Sequence, residues 1–224
     1  MAYFPLFIEL DQKDCLIIGG GPVAARKAKV LASLGAKVEI ISDTFCEELT
    51  GKEFRNSTLC KLSTQEVSIG FLEEKKYTSL CIIVAATSNH ELNHEIGLWC
   101  RAQGIHFNSA TSKQDSTFIF PSVINKEGIT VGITSGGKSP AVTRMIRSKV
   151  EQCIPNQLEV QLQELEQARE LVKQKVKEQR LRKIIFYELI QIGIEQQQKI
   201  TNVVINQVID KVIREDEDNN QDWN

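Results

Sequence analysis

The segment CLIIGGGPVAARKAKVLASLGAKVEIIS, residues 15–42, constrains the fold more than any other part of the chain. An apolar run enters three consecutive glycines, and helical spacing follows them. Val23, Ala24, Ala28, Leu31 and Leu34 share one face of a helix over 22–34, and Gly35 stands where a C′ glycine ends a helix. KVEIIS, residues 37–42, reads as a β-branched strand. Strand, turn, helix and strand make a βαβ unit, within which Gly19, Gly21 and Ala24 fit G-x-G-x-x-G/A. Each position has a physical task. Gly19 permits a tight turn, Gly21 lets the backbone approach a pyrophosphate, and Ala24 lets helix and strand pack closely. Pro22 has no N–H, so Val23 and its successors must donate to the phosphates from the helix amino terminus. Asp43 follows the second strand, 24 residues after Gly19, where a carboxylate accepts from ribose hydroxyls and repels a 2′-phosphate. That predicts NAD rather than NADP. Thr44 beside it, and Ala86 and Thr87 at the end of a later strand, are assigned to the same cofactor site.

The remaining elements alternate. Residues 3–9 and 14–18 read as short strands joined by a turn at 11–14, and 59–62, 79–86 and 105–110 as further strands. Residues 89–104 read as a helix ending at Gly104. This alternation predicts an α/β fold with a parallel sheet. Beyond residue 112 the pattern changes. Residues 117–124 and 129–134, around a turn at 125–128, read as an antiparallel pair. SGGKSPAVTRMIRSKVE, 135–151, is a glycine loop feeding a helix, with Ser139 as N-cap and Pro140 at the first helical position. From 156 onward the chain reads as helical. Leu158, Leu162, Leu165, Val172 and Val176 form one stripe, and Val204, Val208 and Val212 another. The expected domains are 1–112, 113–150 and 151–214, with an acidic, solvated, disordered tail at 215–224.

Composition narrows the function classes. A net charge of −2 over 224 residues gives no general attraction to nucleic acid or to an anionic membrane. No apolar run approaches the roughly 20 residues of a membrane span. MAYFPLFIEL lacks the basic start of a signal peptide. The six cysteines show no C-x-x-C pair or metal-ligand spacing, which predicts reduced thiols in core positions of a cytoplasmic protein.

Five ordered segments, PLFIEL, DCLIIGGGPVAARKA, VAATSNHELN, FNSATSKQDSTFIFPS and VGITSGGKSPAVTRMIR, resemble the precorrin-2 dehydrogenase/sirohydrochlorin ferrochelatase family of siroheme synthesis over residues 3–155. The resemblance implies a Rossmann-type NAD-binding domain, a small α+β dimerisation domain that makes a homodimer, and a carboxy-terminal helical domain. It also implies oxidation of precorrin-2, a tetrapyrrole with eight carboxylates, by NAD+, and metal insertion in some members. Donors and cations suited to such a substrate are Asn108, Ser135, Gly136, Gly137, Lys138, Ser139, Arg144 and Arg147. A capped helix with a solvated basic face fits the two arginines equally. Ser135 matches the serine of the family's S-G-G-x-S-P motif.

One departure stands out: Thr111 occupies the place of a family aspartate assigned as general base and in metal insertion. A hydroxyl is a poor proton acceptor near neutral pH. Thr111, Asp115 and Ser135 are therefore the catalytic candidates, with Asp115 four residues on as the alternative base, and dehydrogenation is expected to survive the change better than metal insertion. His90 and His94, spaced i, i+4, lack a third metal ligand, so no metal site is expected. His106 reads as a packed strand residue. Two other classes compete: an NAD-sensing regulatory domain, and a tetrapyrrole chelatase or carrier with a vestigial dinucleotide site. The S-G-G-K-S-P helix argues against the first, and intact Gly19, Gly21 and Asp43 against the second.

Overall fold

A computed structural model describes residues 3–74 and 80–221. Five strands form one parallel sheet: β1 (Asp14–Ile18), β2 (Lys37–Ser42), β3 (Cys60–Thr64), β4 (Ile82–Ala85) and β5 (His106–Ser109). Their order is β3-β2-β1-β4-β5. The chain builds outward from β1 to β3, then returns to β4 on the other side of β1. The crevice between the carboxyl ends of β1 and β4 is thus the topological switch point, where open α/β sheets place ligands. All four residues of β4 are buried, as a strand covered on both faces requires.

Two helices cover the two faces. On one, α1 (Pro22–Ser33) packs Ala24, Ala28 and Leu31 against Ile17, Ile40 and Val84. On the other, α5 (His90–Gln103) packs Ile96 and Cys100 against Leu16, Ile18, Ile83 and Phe107. The alternation of side chains along each strand divides the core in this way. Both helices end on left-handed glycines, Gly35 at φ 83° and Gly104 at φ 70°. Short helices α2 (Glu47–Thr50), α3 (Lys52–Arg55) and α4 (Ile69–Glu74) occupy connections in which no helix is expected.

Two expectations about strands need correction. Residues 3–9 form no strand, although their apolar pattern suits one, because a strand needs a ladder neighbour and no described strand takes them into a sheet. Phe4 is 88% exposed, and Leu6 and Phe7 are exposed as well. Residues 117–121 do not join the antiparallel pair: Thr117 N–H donates to Phe107 O at 2.9 Å, and Pro121 carries no ladder donor. The hairpin is instead β6 (Ser122–Lys126) and β7 (Ile129–Ile133), closed by the two-residue turn Glu127-Gly128. Both turn residues have positive φ, 53° and 73°, as an antiparallel two-residue hairpin turn demands.

The chain divides into two compact units, Met1–Val123 with Gly132–Arg144, and Ile124–Val131 with Met145–Asn224. Helix α6 (Pro140–Cys153) passes from the first to the second. In the second, α7 (Leu158–Lys175), α8 (Gln179–Ile190) and α9 (Asn202–Gln221) enclose Ala168, Val172, Ile185, Leu189, Ile205 and Val208. Val172 and Val176 of the first predicted stripe and Val208 and Val212 of the second are buried there. The acidic stretch expected as a solvated tail is helical as far as Gln221, and Asp216 pairs with Arg180. No described helix is long and apolar enough to cross a membrane. All six cysteines are free. Burial pushes the thiols of Cys15 and Cys100 up to about 12, whereas Cys153 is exposed, contrary to its expected core position.

Candidate functional site

The glycine turn between β1 and α1 is fixed from both sides. Gly19 has φ 118°, and a Cβ there would lie 2.5 Å from Ala86 O. A Cβ on Gly20 would lie 1.9 Å from Thr44 O. Gly20 was missed by the motif, which assigns no role to its middle position, and only the returning chain at Thr44 reveals the constraint. Gly21 differs: a Cβ on it would meet nothing within 4 Å. Its outer face is open. It is also the N-cap of α1 and supplies no side-chain cap. Ala25 N–H bonds to Gly21 O at 3.1 Å, leaving the N–H groups of Val23 and Ala24 ahead of the helical ladder. Pro22 begins the helix without a donor. This is a helix amino terminus with its positive end and two donors facing an open glycine.

The acid expected at the end of β2 is there. Asp43 is exposed, and three donors converge on its Oδ1: Thr44 N–H at 2.8 Å, Ser42 Oγ at 3.2 Å and Thr44 Oγ1 at 3.4 Å. None of these bonds uses Oδ2. Ala86 and Thr87 continue β4 across the crevice, with Ala86 N–H bonded to Ile18 O at 2.7 Å.

The family described as "Putative NAD(P)-binding" matches residues 6–122, more than half of the chain. The chain belongs to this family. Among curated proteins it is similar to the siroheme synthase of Nitrosomonas eutropha, 35% identical over 155 residues, covering 69% of this chain and 31% of that one. It is also similar to the siroheme synthase of Nitrosococcus oceani, 31% identical over 191 residues, covering 85% of this chain and 39% of that one. The chain thus spans between about a third and two-fifths of these relatives. A solved structure of "SirC, precorrin-2 dehydrogenase" matches with a TM-score of 0.61 at 18% identity, covering 95% of this chain and all of that one. The fold is shared.

The NAD(P)-binding unit holds its β4 and β5 ends together through a residue absent from the predicted set. Asn93, fully buried on α5, receives Thr87 Oγ1 at 2.7 Å and donates to Thr87 O at 3.0 Å and Thr111 Oγ1 at 3.1 Å. Its sequence signal is an amide on the helix face that also carries Ile96 and Cys100. Thr111 Oγ1 also meets Ser109 Oγ at 3.2 Å. Asp115 is turned elsewhere: its carboxylate bonds to His94 Nδ1 at 2.7 Å, while Arg101 holds the backbone carbonyls of Gln114 and Asp115. The Ser112 hydroxyl, then His94, hold the Asp115 carboxyl below the usual carboxylate range. His94 thus serves as a loop clamp. Among the described residues no cluster of three or more metal-binding side chains forms. His106, expected as packed, is exposed at the sheet's edge, its ring 6.3 Å from that of Phe118 in an edge contact.

Asn108 is buried, and both ends of its amide are engaged within the chain: Oδ1 accepts from Lys27 Nζ at 2.7 Å, and Nδ2 donates to Phe118 O at 3.3 Å. The second glycine loop is largely self-satisfied. Ser135 Oγ accepts from Ser139 N–H at 3.0 Å and from Thr143 Oγ1 at 3.1 Å, and donates to Ser139 O at 3.2 Å. Ser139 Oγ accepts from Val142 N–H at 3.3 Å, the expected N-cap. Gly136 and Gly137 both have positive φ, 66° and 82°, and Lys113 Nζ donates to Gly136 O at 2.6 Å. Lys138 and Arg144 are exposed, and Arg147 lies 3.7 Å from Glu151.

Proposed function

We propose that this chain is an NAD-dependent dehydrogenase that oxidises precorrin-2 to sirohydrochlorin in siroheme or cobalamin synthesis. The observation carrying this reading is the uncapped amino terminus of α1 at an open Gly21, with Asp43 at the end of β2, all at the switch point of the sheet. The similarity to siroheme synthases and to the precorrin-2 dehydrogenase fold supports it.

The residues fit a nicotinamide dinucleotide. Val23 and Ala24 N–H groups would take the pyrophosphate, with Gly19, Gly21 and Pro22 shaping its approach. Asp43 Oδ2 would accept from the adenosine ribose, which selects NAD because a 2′-phosphate would face a carboxylate. Thr44, Ala86 and Thr87 border the same crevice. When bound, the cofactor supplies the hydride acceptor.

Residues 113–150 carry candidate cations and loop donors for an acidic tetrapyrrole: Lys138, Arg144 and Arg147, and the Ser135–Ser139 loop. Thr111 offers a hydroxyl held by Asn93, and Asp115 is committed to His94. Oxidation then relies on positioning rather than on a carboxylate base, and the exposed Thr111 lets water take the proton. Metal insertion requires removal of pyrrole protons and suffers from the missing carboxylate. We also assign residues 113–150 to dimerisation. A two-stranded hairpin is marginal alone, and α6 exposes Val142, Met145 and Ile146. Residues 1–112 are the cofactor domain, 151–214 the helical domain, and the site of action the cytoplasm.

Anaerobic incubation with precorrin-2 tests this reading. NAD+ should be reduced as sirohydrochlorin absorbance appears, NADP+ should serve poorly, and sedimentation should show a dimer. Absence of NADH formation overturns the assignment. Thr111→Asp should raise iron or cobalt insertion, by up to the roughly 100- to 10,000-fold worth of a general base, while changing oxidation modestly. Efficient metal insertion by the unaltered chain would overturn the role given to Thr111.

A further inference from the structure

Lys27 is a cation that the dinucleotide motif does not use. It lies on α1 with its ammonium 2.7 Å from Asn108 Oδ1 and 3.9 Å from the centre of the Phe120 ring. It forms no ion pair with a carboxylate among the described residues; the charged neighbour acting on it is Arg26, of the same sign. The open amino terminus of α1 adds positive potential. An ammonium has three donors, and Asn108 takes one of them. Burial lowers the affinity of Lys27 for its proton, while part of the residue remains accessible.

Holding Asn108 and Phe120 in place would not require this charge. A methionine would pack on Phe120, and an aspartate at 108 would neutralise the cation. The Asn108 oxygen and the face of the Phe120 ring compensate this partly buried ammonium only in part, and no carboxylate among the described residues completes the compensation. Asn108 meanwhile has both amide ends engaged internally, which makes Lys27, rather than Asn108, the group with donors to offer at this end of β5. We infer that Lys27 binds an anionic oxygen of a ligand at the carboxyl edge of the sheet. The inference rests on the proposed dehydrogenase reading, under which that oxygen belongs either to a carboxylate of the tetrapyrrole or to a phosphate of the dinucleotide.

Two variants of the full chain separate these outcomes from a structural role. Lys27→Met removes the charge, and Asn108→Asp keeps it but supplies an internal counter-charge. NAD+ binding is measured by calorimetry without tetrapyrrole, and sirohydrochlorin binding by absorbance titration without dinucleotide. Both variants should weaken the same ligand at least tenfold, and Lys27→Arg should restore it to within about threefold. A loss confined to NAD+ assigns the phosphate, and a loss confined to sirohydrochlorin assigns the carboxylate. If both variants bind both ligands within twofold of the natural chain, Lys27 is only structural and the inference is wrong. Should Lys27→Met not fold, Asn108→Asp decides alone, since its new ion pair with Lys27 offsets the donation to Phe118 O that it loses. A natural chain that binds NAD+ and oxidises precorrin-2 while these variants bind normally sinks this inference alone; one that binds neither ligand sinks the dehydrogenase reading with it.

Discussion

Two glycine turns in this chain each deliver the backbone into a helix that begins with proline, yet they treat their donors in opposite ways. The turn at Gly19–Gly21 is walled by backbone at Ala86 and Thr44, and its helix begins without a side-chain cap. The turn at Ser135–Ser139 has room around Gly136 and Gly137 but satisfies its own donors through Thr134, Ser135 and Ser139. The first is an opening walled by backbone that leaves the Val23 and Ala24 N–H groups ahead of the helical ladder. The second satisfies its own donors within the loop and leaves the side chain of Lys138 exposed. Similar composition therefore leads to different hydrogen bonding, decided by where each turn's N–H groups find acceptors.

The sharpest way to break this contrast lies within the first turn. Gly20→Ala should place a Cβ against Thr44 O and Gly19→Ala one against Ala86 O, each destabilising the chain by about 1–3 kcal/mol or more. Gly21→Ala should leave the melting temperature almost unchanged and still weaken dinucleotide binding tenfold or more by closing the pyrophosphate approach. Thermal melting with calorimetry separates the three. Equal loss of stability at all three positions would remove the distinction between wall and opening.

Asp43→Asn should bring NADP+ binding to within severalfold of NAD+ by removing the repelling charge while keeping a hydrogen-bonding amide. A preference that does not move would shift selectivity away from β2. In the second turn, Ser135→Ala should cost about 1–2 kcal/mol of stability, since its hydroxyl serves Ser139 and Thr143, yet leave NAD+ affinity untouched. A matching loss of NAD+ binding would merge the two turns into one site.

The smallest effect is electrostatic. Burial first, then Arg26, pushes Lys27 down to about 8 from an ordinary 10.5, so the folded chain binds fewer protons than the unfolded chain between those values. Stability contributed by this group therefore rises as pH climbs from about 8 toward 10.5, where the buried charge is shed. The difference in melting temperature between the natural chain and Lys27→Met should drift in the natural chain's favour over that window. A flat difference would place Lys27 in water.

Much of the first unit was legible because its signals are local. The βαβ pattern around Gly19, the left-handed stops at Gly35 and Gly104, and the Ser139 cap each depend on a few neighbouring residues and on backbone sterics. The strand predicted at 3–9 failed for the complementary reason: an apolar run states that a segment suits a sheet, not that a neighbour will pair with it. The candidate site divides along the same line. Gly19, Gly21, Pro22 and Asp43 follow from spacing alone. Gly20 against Thr44, Asn93 bridging Thr87 and Thr111, His94 capturing Asp115, and Lys27 reaching Asn108 across 81 positions are long-range meetings. Local spacing fixes which atoms an element presents; only packing of distant segments decides which of those atoms find partners inside the protein and which remain for a ligand.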